Sequence, residues 1–325
     1  MASLAGAGVA PLRRRVRQWW LQRLPRTELW TLTQRNIYIL PTRAGLLFAF
    51  TLLLMLVASI NYQLNLGYVL TFLLAGAGIV SMHVTHNTLR GLTLQLRTPP
   101  AGFAGEAVTL EVVLTSPSGE RHGVGVTFDG PDALAHESWV DVPAQGQASA
   151  HLTWTPQRRG RHDLPTIRVD TRFPFGLFRA WSLWRPRAQV LAWPAPERPA
   201  APLPAPQPKA GAPLAGARAA RGEFDGVRAY ERGDTLRQVV WKKAARTGEL
   251  VSREARATAS RELWLNWAAT AGAGDAEVRL ARLAAWVLAA EHAGFEYGLR
   301  LPGVELPPAQ GDAQRRRALE ALALW

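Results

Sequence analysis

Seven basic residues lie in one short stretch of the sequence, residues 222–254, and four of them, Arg228, Arg237, Lys242 and Arg246, are candidates for binding. Guanidinium and ammonium groups at this spacing can present positive charge to a phosphate or to an acidic surface of a partner protein. The same residues can instead form ion pairs with nearby Glu and Asp side chains, and both interpretations stay open. The stretch holds no histidine and no serine–base pairing, which argues against a nucleophilic enzyme.

A turn and a helix are expected to position these side chains. Gly233 and Asp234 form the turn, and the Asp234 carboxylate can cap the helix that follows it. Arg237 and Trp241 lie four residues apart and can stack as a cation–π pair on that helix. Tyr230 and Trp241 are expected to pack inward, because large aromatic side chains in small domains are usually buried.

The stretch closely resembles the signature of the family known as domain of unknown function 58. The matching positions are Gly222, Phe224, Gly226, Arg228, Tyr230, Gly233, Asp234, Arg237, Trp241, Lys242, Ala245, Arg246, Leu250, Arg253 and Glu254. The resemblance covers residues 35–325 and implies a membrane-tethered companion of a MoxR-type AAA+ ATPase. Such proteins are often encoded beside transglutaminase-like membrane proteins, and their suggested role is assembly or remodelling of envelope or cofactor-bearing complexes. Because the family brings no established reaction, we expect a non-enzymatic scaffold or adaptor without a cofactor.

The resemblance further implies that the C-terminal region is a reduced von Willebrand factor A-type domain. Complete domains of that type bind a divalent ion through an Asp-x-Ser-x-Ser motif after their first strand. The corresponding stretch here begins with Asn266 and leaves only Thr270 as an oxygen ligand. A hard cation held without a carboxylate binds weakly, so we predict no metal site.

The segment from Ala44 to Leu89 contains no Asp, Glu, Lys or Arg. It predicts two transmembrane helices within residues 44–85, at about 44–61 and 66–84, because each apolar run approaches the ~20 residues that cross a bilayer. A buried pair of helices in a soluble protein is the alternative. His83 and His86 close the second run, and two imidazoles alone make an incomplete metal site, so we interpret them as polar helix-end residues.

The charge of the flanking residues predicts the orientation. Residues 1–43 form a basic N-terminal segment with eight arginines and a single acidic residue, Glu28, and Arg90 and Arg97 follow the second run. The positive-inside rule places both flanks in the cytoplasm. We therefore expect a multi-pass protein of the bacterial inner membrane with both termini cytoplasmic.

The rest of the chain alternates between β-rich and mixed patterns. Residues 91–193 show apolar residues with a period of two, broken by turns, which predicts an antiparallel β-sandwich of immunoglobulin-like type. The Phe side chains of the turn at 172–178 are expected to pack beneath it. Residues 194–220 hold eight prolines and predict a Pro/Ala-rich linker that acts as a spacer. Residues 221–325 carry the signature and a β-α-β-α order typical of a small α/β region.

The overall composition limits the function further. Lys and Arg number 38 against 25 Asp and Glu, a net charge of +13. Binding of anionic lipid or nucleic acid is therefore the alternative function. We expect no nucleic acid, since the soluble regions show no recognised nucleic-acid module. The absence of cysteine excludes disulfides, thiolate metal sites and cysteine nucleophiles.

Overall fold

The structure of the 325-residue chain is a computed structural model. It describes residues 24–130, 137–208, 224–229, 251–255 and 261–325. The chain forms two compact units, the first ending at residue 195 and the second beginning at residue 196. Each unit is described by itself.

The first unit combines two helices with thirteen strands. Its elements in chain order are β1 (Arg26–Thr27), β2 (Leu29–Thr31), β3 (Tyr38–Pro41), α1 (Arg43–Asn61), α2 (Asn65–Leu89), β4 (Thr93–Leu96), β5 (Gly102–Phe103), β6 (Val108–Thr115), β7 (Arg121–Phe128), β8 (Ser138–Val142), β9 (Gln147–Trp154), β10 (Gly160–Asp163), β11 (Ile167–Thr171), β12 (Phe178–Pro186) and β13 (Gln189–Trp193). Two apolar helices near the N-terminus are thus followed by a mostly β-sheet region, as the hydropathy pattern and the period-two alternation predict.

Two sheets pack face to face around one core and form a β-sandwich. One sheet has the antiparallel order β2-β4-β6-β9. The other has the order β1-β12-β11-β7-β8, with β3 also paired to β12, and a small sheet β10-β13-β5 completes the unit. Alternate residues of the strands point inward, because successive side chains of a strand face opposite sides. The core includes Leu94, Leu110, Leu114, Leu152, Val126, Ile167, Val169 and Trp184.

The helical hairpin is an insertion within this sandwich, because strands β1, β2 and β3 precede α1. The prediction treated residues 1–43 only as a basic segment and began the sandwich at residue 91. These strands are two to four residues long, which is too short to show a clear alternation. Helix α2 also ends at Leu89 and not near residue 84, because Thr85, Thr88 and Leu89 are buried in the unit.

The second unit is a small α/β fold. Its elements are β14 (Gln207–Pro208), β15 (Phe224–Ala229), β16 (Val251–Ala255), β17 (Arg261–Asn266), a 3₁₀ segment (Trp267–Ala273), α3 (Ala276–His292), β18 (Tyr297–Leu301), β19 (Val304–Ala309) and α4 (Asp312–Leu324). Strands β17 and β18 are parallel and joined through α3, in a sheet of order β14-β17-β18-β19. Strands β15 and β16 form a separate antiparallel pair. Strand β19 was not predicted because it contains Pro307 and Pro308, which an edge strand tolerates.

Part of the predicted linker lies against this second unit. Two hydrogen bonds join the Arg282 guanidinium to the Glu197 carboxylate at 2.8 and 2.9 Å, and Trp286 Nε1 donates to the carbonyl oxygen of Ala201 at 3.1 Å. Strand β14 pairs with β17. The interpretation of 194–220 as a solvated spacer is therefore wrong for residues 196–208, whose prolines run along the unit. Residues 209–220 lie outside the described residues.

Candidate functional site

The helical hairpin of α1 and α2 has an inverted distribution of polar and apolar side chains. Apart from Leu89, the buried residues of the two helices are small or bear a hydroxyl, namely Gly45, Ser59, Thr71, Gly78, Ser81, Thr85 and Thr88. Large apolar side chains are exposed, among them Leu46, Leu47, Phe50, Leu53, Leu54, Val57, Leu66, Val69, Phe72, Leu73, Ile79 and Val80. A helical pair in the core of a soluble protein has the opposite arrangement.

Four of the buried hydroxyls of the hairpin, those of Ser59, Thr71, Thr85 and Thr88, bond to their own helices. Ser59 Oγ donates to the carbonyl oxygen of Met55 at 2.7 Å, and Thr71 Oγ1 donates to that of Gly67 at 2.7 Å. In the most apolar 18 residues of α1 only 11% of the residues are buried, and in those of α2 only 17% are buried. Both helices are therefore long and apolar enough to span a membrane, with lipid-compatible outer surfaces.

The turn between β11 and β12 is bonded to the start of α1. Thr42, the N-cap of α1, accepts from Gly45 N at 3.1 Å, and its hydroxyl donates to the carbonyl oxygen of Gly176 at 2.6 Å. The Thr42 backbone N–H donates to the carbonyl oxygen of Leu177 at 2.9 Å. Gly45 lies so close that a Cβ there would be 2.0 Å from the Leu177 carbonyl oxygen. Only glycine allows this approach.

The same turn is bonded to α2. The Thr85 hydroxyl lies 2.7 Å from the carbonyl oxygen of Phe173, and Arg121 of β7 donates to the carbonyl oxygen of Asn87. Cations are favourable at the C-terminal end of a helix, so Arg121 also suits the helix dipole. Backbone and side-chain bonds thus hold both helices to the sandwich, and we call this contact the hairpin–turn joint.

The aromatic side chains of the turn do not pack beneath it, so that expectation is wrong. Phe173 is 37% exposed and Phe175 is 67% exposed. The Phe173 ring lies beside the His122 ring, with 5.3 Å between their centroids, and the Phe175 ring projects from the surface.

A second feature is a cluster of charged side chains on the outer face of the six-stranded sheet. Asp170 of β11 is fully buried, and its Oδ2 accepts from Arg179 Nε at 2.7 Å. Arg168 Nε lies 3.7 Å from Asp170 Oδ1, and Arg168 Nη1 lies 3.8 Å from Asp129 Oδ1. The charges of the two carboxylates and the two guanidiniums cancel. We call these four side chains the charge cluster.

Glu137 adds a third carboxyl to the charge cluster. Its side chain packs over Gly125, where a Cβ would lie 3.1 Å from Glu137 Oε1 and from the Trp139 ring. Burial first, and then the hydrogen bond and repulsion from Asp170, raise the pKa of Glu137 to about 7. Glu137 can therefore keep its proton near neutral pH and donate a hydrogen bond to the Asp170 side chain. Among the signals in the sequence, only the i, i+2 spacing of Arg168 and Asp170 on an otherwise apolar strand pointed to this cluster.

We expect the raised pKa of Glu137 to make stability depend on pH. The folded chain keeps the Glu137 proton up to about pH 7, whereas the pKa of the unfolded chain lies near 4.5. The folded state then binds more protons between these values, so the free energy of unfolding falls as pH rises through this window. Thermal unfolding of detergent-solubilised protein from pH 4.5 to 8 should show this fall. Glu137→Gln should flatten that part of the profile, and a parallel profile in the variant would contradict the assignment.

The signature residues are mostly outside the part of the chain that the structure describes. Arg228 lies in β15, opposite Ser252 of β16. The other predicted binding residues, Tyr230, Gly233, Asp234, Arg237, Trp241, Lys242 and Arg246, fall outside the described residues. Their grouping into a partner surface stays a prediction.

A guanidinium of the protein itself lies beside Thr270, the one oxygen ligand left in the stretch that begins with Asn266. Arg279 Nε donates to Thr270 Oγ1 at 3.0 Å, and Arg279 Nη2 donates to the carbonyl oxygen of Trp267 at 2.7 Å. The guanidinium lies 3.7 Å from the centre of the Trp267 ring. Asn266 Oδ1 accepts from Ala268 N at 3.0 Å and is thereby engaged locally. These residues do not fit a divalent ion, because the oxygen ligands already face a guanidinium.

Removing or adding divalent ions should therefore leave this protein unchanged. We expect the unfolding temperature to be the same in EDTA and in excess Mg²⁺ or Ca²⁺, because Arg279 supplies the positive charge beside Thr270. Arg279→Gln should lower the unfolding temperature through loss of the bonds to Thr270 and Trp267. A rise of the unfolding temperature with Mg²⁺ in the unsubstituted protein would contradict the fit.

Elsewhere, a cavity of about 360 Å³ opens at the end of the sandwich. It is lined by Thr27, Glu28, Gln95, Leu96, Thr98, Trp184, Pro186, Arg187 and Ala188. None of the side chains of the charge cluster lines this cavity. Within the described ranges, no three His, Asp or Glu side chains come together as a metal site.

Comparison with models of known protein families gives no match to the chain, and comparison with curated proteins gives none either.

Proposed function

We propose that this protein is a non-enzymatic scaffold or adaptor anchored in the bacterial inner membrane, with both termini in the cytoplasm. The inverted polarity of the hairpin is the observation that carries the anchoring. Helix α1 contains 19 residues, or about 28 Å of helix, which suits a hydrocarbon core about 30 Å thick. The orientation rests on the basic flanks of the hairpin.

The partner proposed for this scaffold is a MoxR-type AAA+ ATPase, with a transglutaminase-like membrane protein as a further candidate. This part rests on the resemblance of residues 222–254 to domain of unknown function 58. The client is expected to be an envelope complex or a cofactor-bearing complex. We also propose that the sandwich is immunoglobulin-like and that the second unit is a reduced von Willebrand factor A-type domain, supported by the two-layer antiparallel architecture and the parallel β17-α3-β18 crossover.

The anchoring is testable with single cysteines, because the native chain has none. Tyr62→Cys places a thiol between the two helices, and Gln157→Cys places one in an exposed loop of the sandwich. In spheroplasts, an impermeant maleimide should label position 62 directly and position 157 only after lysis. Labelling of position 157 in intact spheroplasts would reverse the orientation, and recovery of the chain in the soluble fraction would refute the anchoring.

The partner is testable by co-purification from detergent-solubilised membranes. We expect the ATPase to be retained by the unsubstituted protein and lost when Arg228 and Arg237 are both changed to Ala. Arg316→Ala, in the exposed part of α4, is the matched control and should retain the ATPase. Equal unfolding temperatures of the variants would show that a loss reflects the surface and not misfolding. Retention by the double variant would refute the partner surface.

A further inference from the structure

The turn between β11 and β12 exposes aromatic side chains where a soluble sandwich would carry polar ones. Phe175 is 67% exposed and Phe173 is 37% exposed. Arg172, beside them, is also exposed. An aromatic ring next to an arginine at the surface suits an environment that is apolar on one side and anionic on the other.

The hairpin–turn joint fixes this turn at one end of the helices. The bonds from Thr42 hold Gly176 and Leu177 at the first turn of α1. The contact of Thr85 holds Phe173 against the last turns of α2. The turn therefore cannot be displaced along the helix axis without loss of these bonds.

The register of the two helices shows that this end is the edge of the apolar zone. Gly67 faces Ser59 and Gly78 faces Phe48, which indicates antiparallel pairing with a constant offset. Continuing this pairing places Arg43, directly before the first apolar run, level with His83, near the end of the second apolar run. Since α1 spans about the thickness of a hydrocarbon core, its Arg43 end lies at the boundary between acyl chains and headgroups.

We infer that the turn 172–177 is a third membrane contact, in which Phe175 inserts between phospholipid headgroups and Arg172 meets their phosphates. The inference rests on the proposed membrane anchoring. It follows from continuity, because the exposed rings adjoin the lipid-facing surface of α1 through Thr42. The occupant is the headgroup layer of the bilayer that surrounds the helices. Phe side chains on the apolar face of interfacial segments are buried at the boundary between headgroups and acyl chains.

The test uses spin labels on the full chain in phospholipid nanodiscs that contain phosphatidylglycerol. Phe175→Cys is the test position, Val57→Cys is the lipid reference on α1, and Gln157→Cys is the aqueous reference. Gln157 lies in the loop that follows Trp154. Trp154 pairs with Val108 at one end of β6, and Thr115 lies at the other end of β6. The loop of Gln157 therefore lies at the end of the sandwich opposite the turn. Phe175→Cys keeps the joint intact, because the joint bonds use the backbone of this turn.

Collision rates with oxygen and with a water-soluble nickel complex measure the depth of each label. At position 175 we expect an oxygen-to-nickel ratio several-fold above that at position 157 and below that at position 57. Equal ratios at 175 and 157 would refute the membrane contact while leaving the anchoring intact. Equal ratios at 57 and 157 would refute the anchoring itself. If the label at position 175 is shielded from the nickel complex in native membranes but not in nanodiscs, the turn contacts a protein partner, and the inference is overturned.

Discussion

Replacing Asp170 by Ala should lower the free energy of unfolding by about 3–5 kcal/mol, the range for breaking a buried ion pair from one side. Asp170 is fully buried and accepts from Arg179 at 2.7 Å, while Arg168 lies 3.7 Å away. Its removal leaves two guanidiniums without their central carboxylate, and Glu137 loses its hydrogen-bond partner. Chemical denaturation of the detergent-solubilised full chain measures the change.

The matched control is Arg97→Ala, which breaks an ion pair with Glu111 at the surface of the same sandwich. Exposed pairs contribute up to about 1 kcal/mol, so this variant should stay close to the native stability. The double variant Asp170→Ala, Arg179→Ala should lose less than the sum of the single losses, because their effects are coupled. Equal losses of unfolding free energy for Asp170→Ala and Arg97→Ala would show that the charge cluster contributes no more to stability than an exposed ion pair.

Replacing Gly45 by Ala should separate the turn from α1. The new Cβ would stand 2.0 Å from the Leu177 carbonyl oxygen, a backbone atom that cannot rotate away. Either the helix or the turn must shift, and the bonds of Thr42 to Gly176 and Leu177 weaken with it. We expect a loss of about 3 kcal/mol, at the upper end for overpacking, seen as a lower unfolding temperature in detergent.

Gly76→Ala is the control within the same hairpin. A Cβ at Gly76 meets nothing within 4 Å, so alanine costs no space there. Alanine is favoured over glycine in a helix by about 0.5–1 kcal/mol, so this variant should be equal to or slightly more stable than the native chain. The two glycine substitutions should thus act in opposite directions. A Gly45→Ala protein as stable as Gly76→Ala would contradict the close contact at the hairpin–turn joint.

Features that depend on local sequence patterns could be predicted. The two helices follow from an uncharged run longer than any ordinary core helix, and the long strands follow from alternation such as that of β6. The second unit follows from the order of its apolar runs, and Asp275 caps α3 by accepting a hydrogen bond from Val278 N at 2.9 Å. These patterns need only neighbours within a few residues.

Features that depend on distant residues could not be predicted. The charge cluster joins Asp129, Glu137 and Asp170, which three different parts of the chain contribute, and their shared burial appears only when the sheet forms. Strands β1 to β3 are too short to alternate. Strands β1 and β3 pair with β12, about 140 to 160 residues further on, and β2 pairs with β4, about 65 residues further on. The position of Arg279 beside Thr270 likewise requires α3 to fold back over the end of β17.

The hairpin–turn joint couples the orientation of the two helices to the orientation of the sandwich. Transmembrane helices adjust to a thicker or thinner bilayer by tilting. Because Thr42 and Thr85 bind the turn to both helices, a tilt of the helices also rotates the sandwich. Strand β6 alone spans about 26 Å, so a tilt of about 10° would swing the far end of the sandwich sideways by about 5 Å. For a hairpin anchored as proposed, local bilayer thickness would in this way set the direction in which the sandwich points.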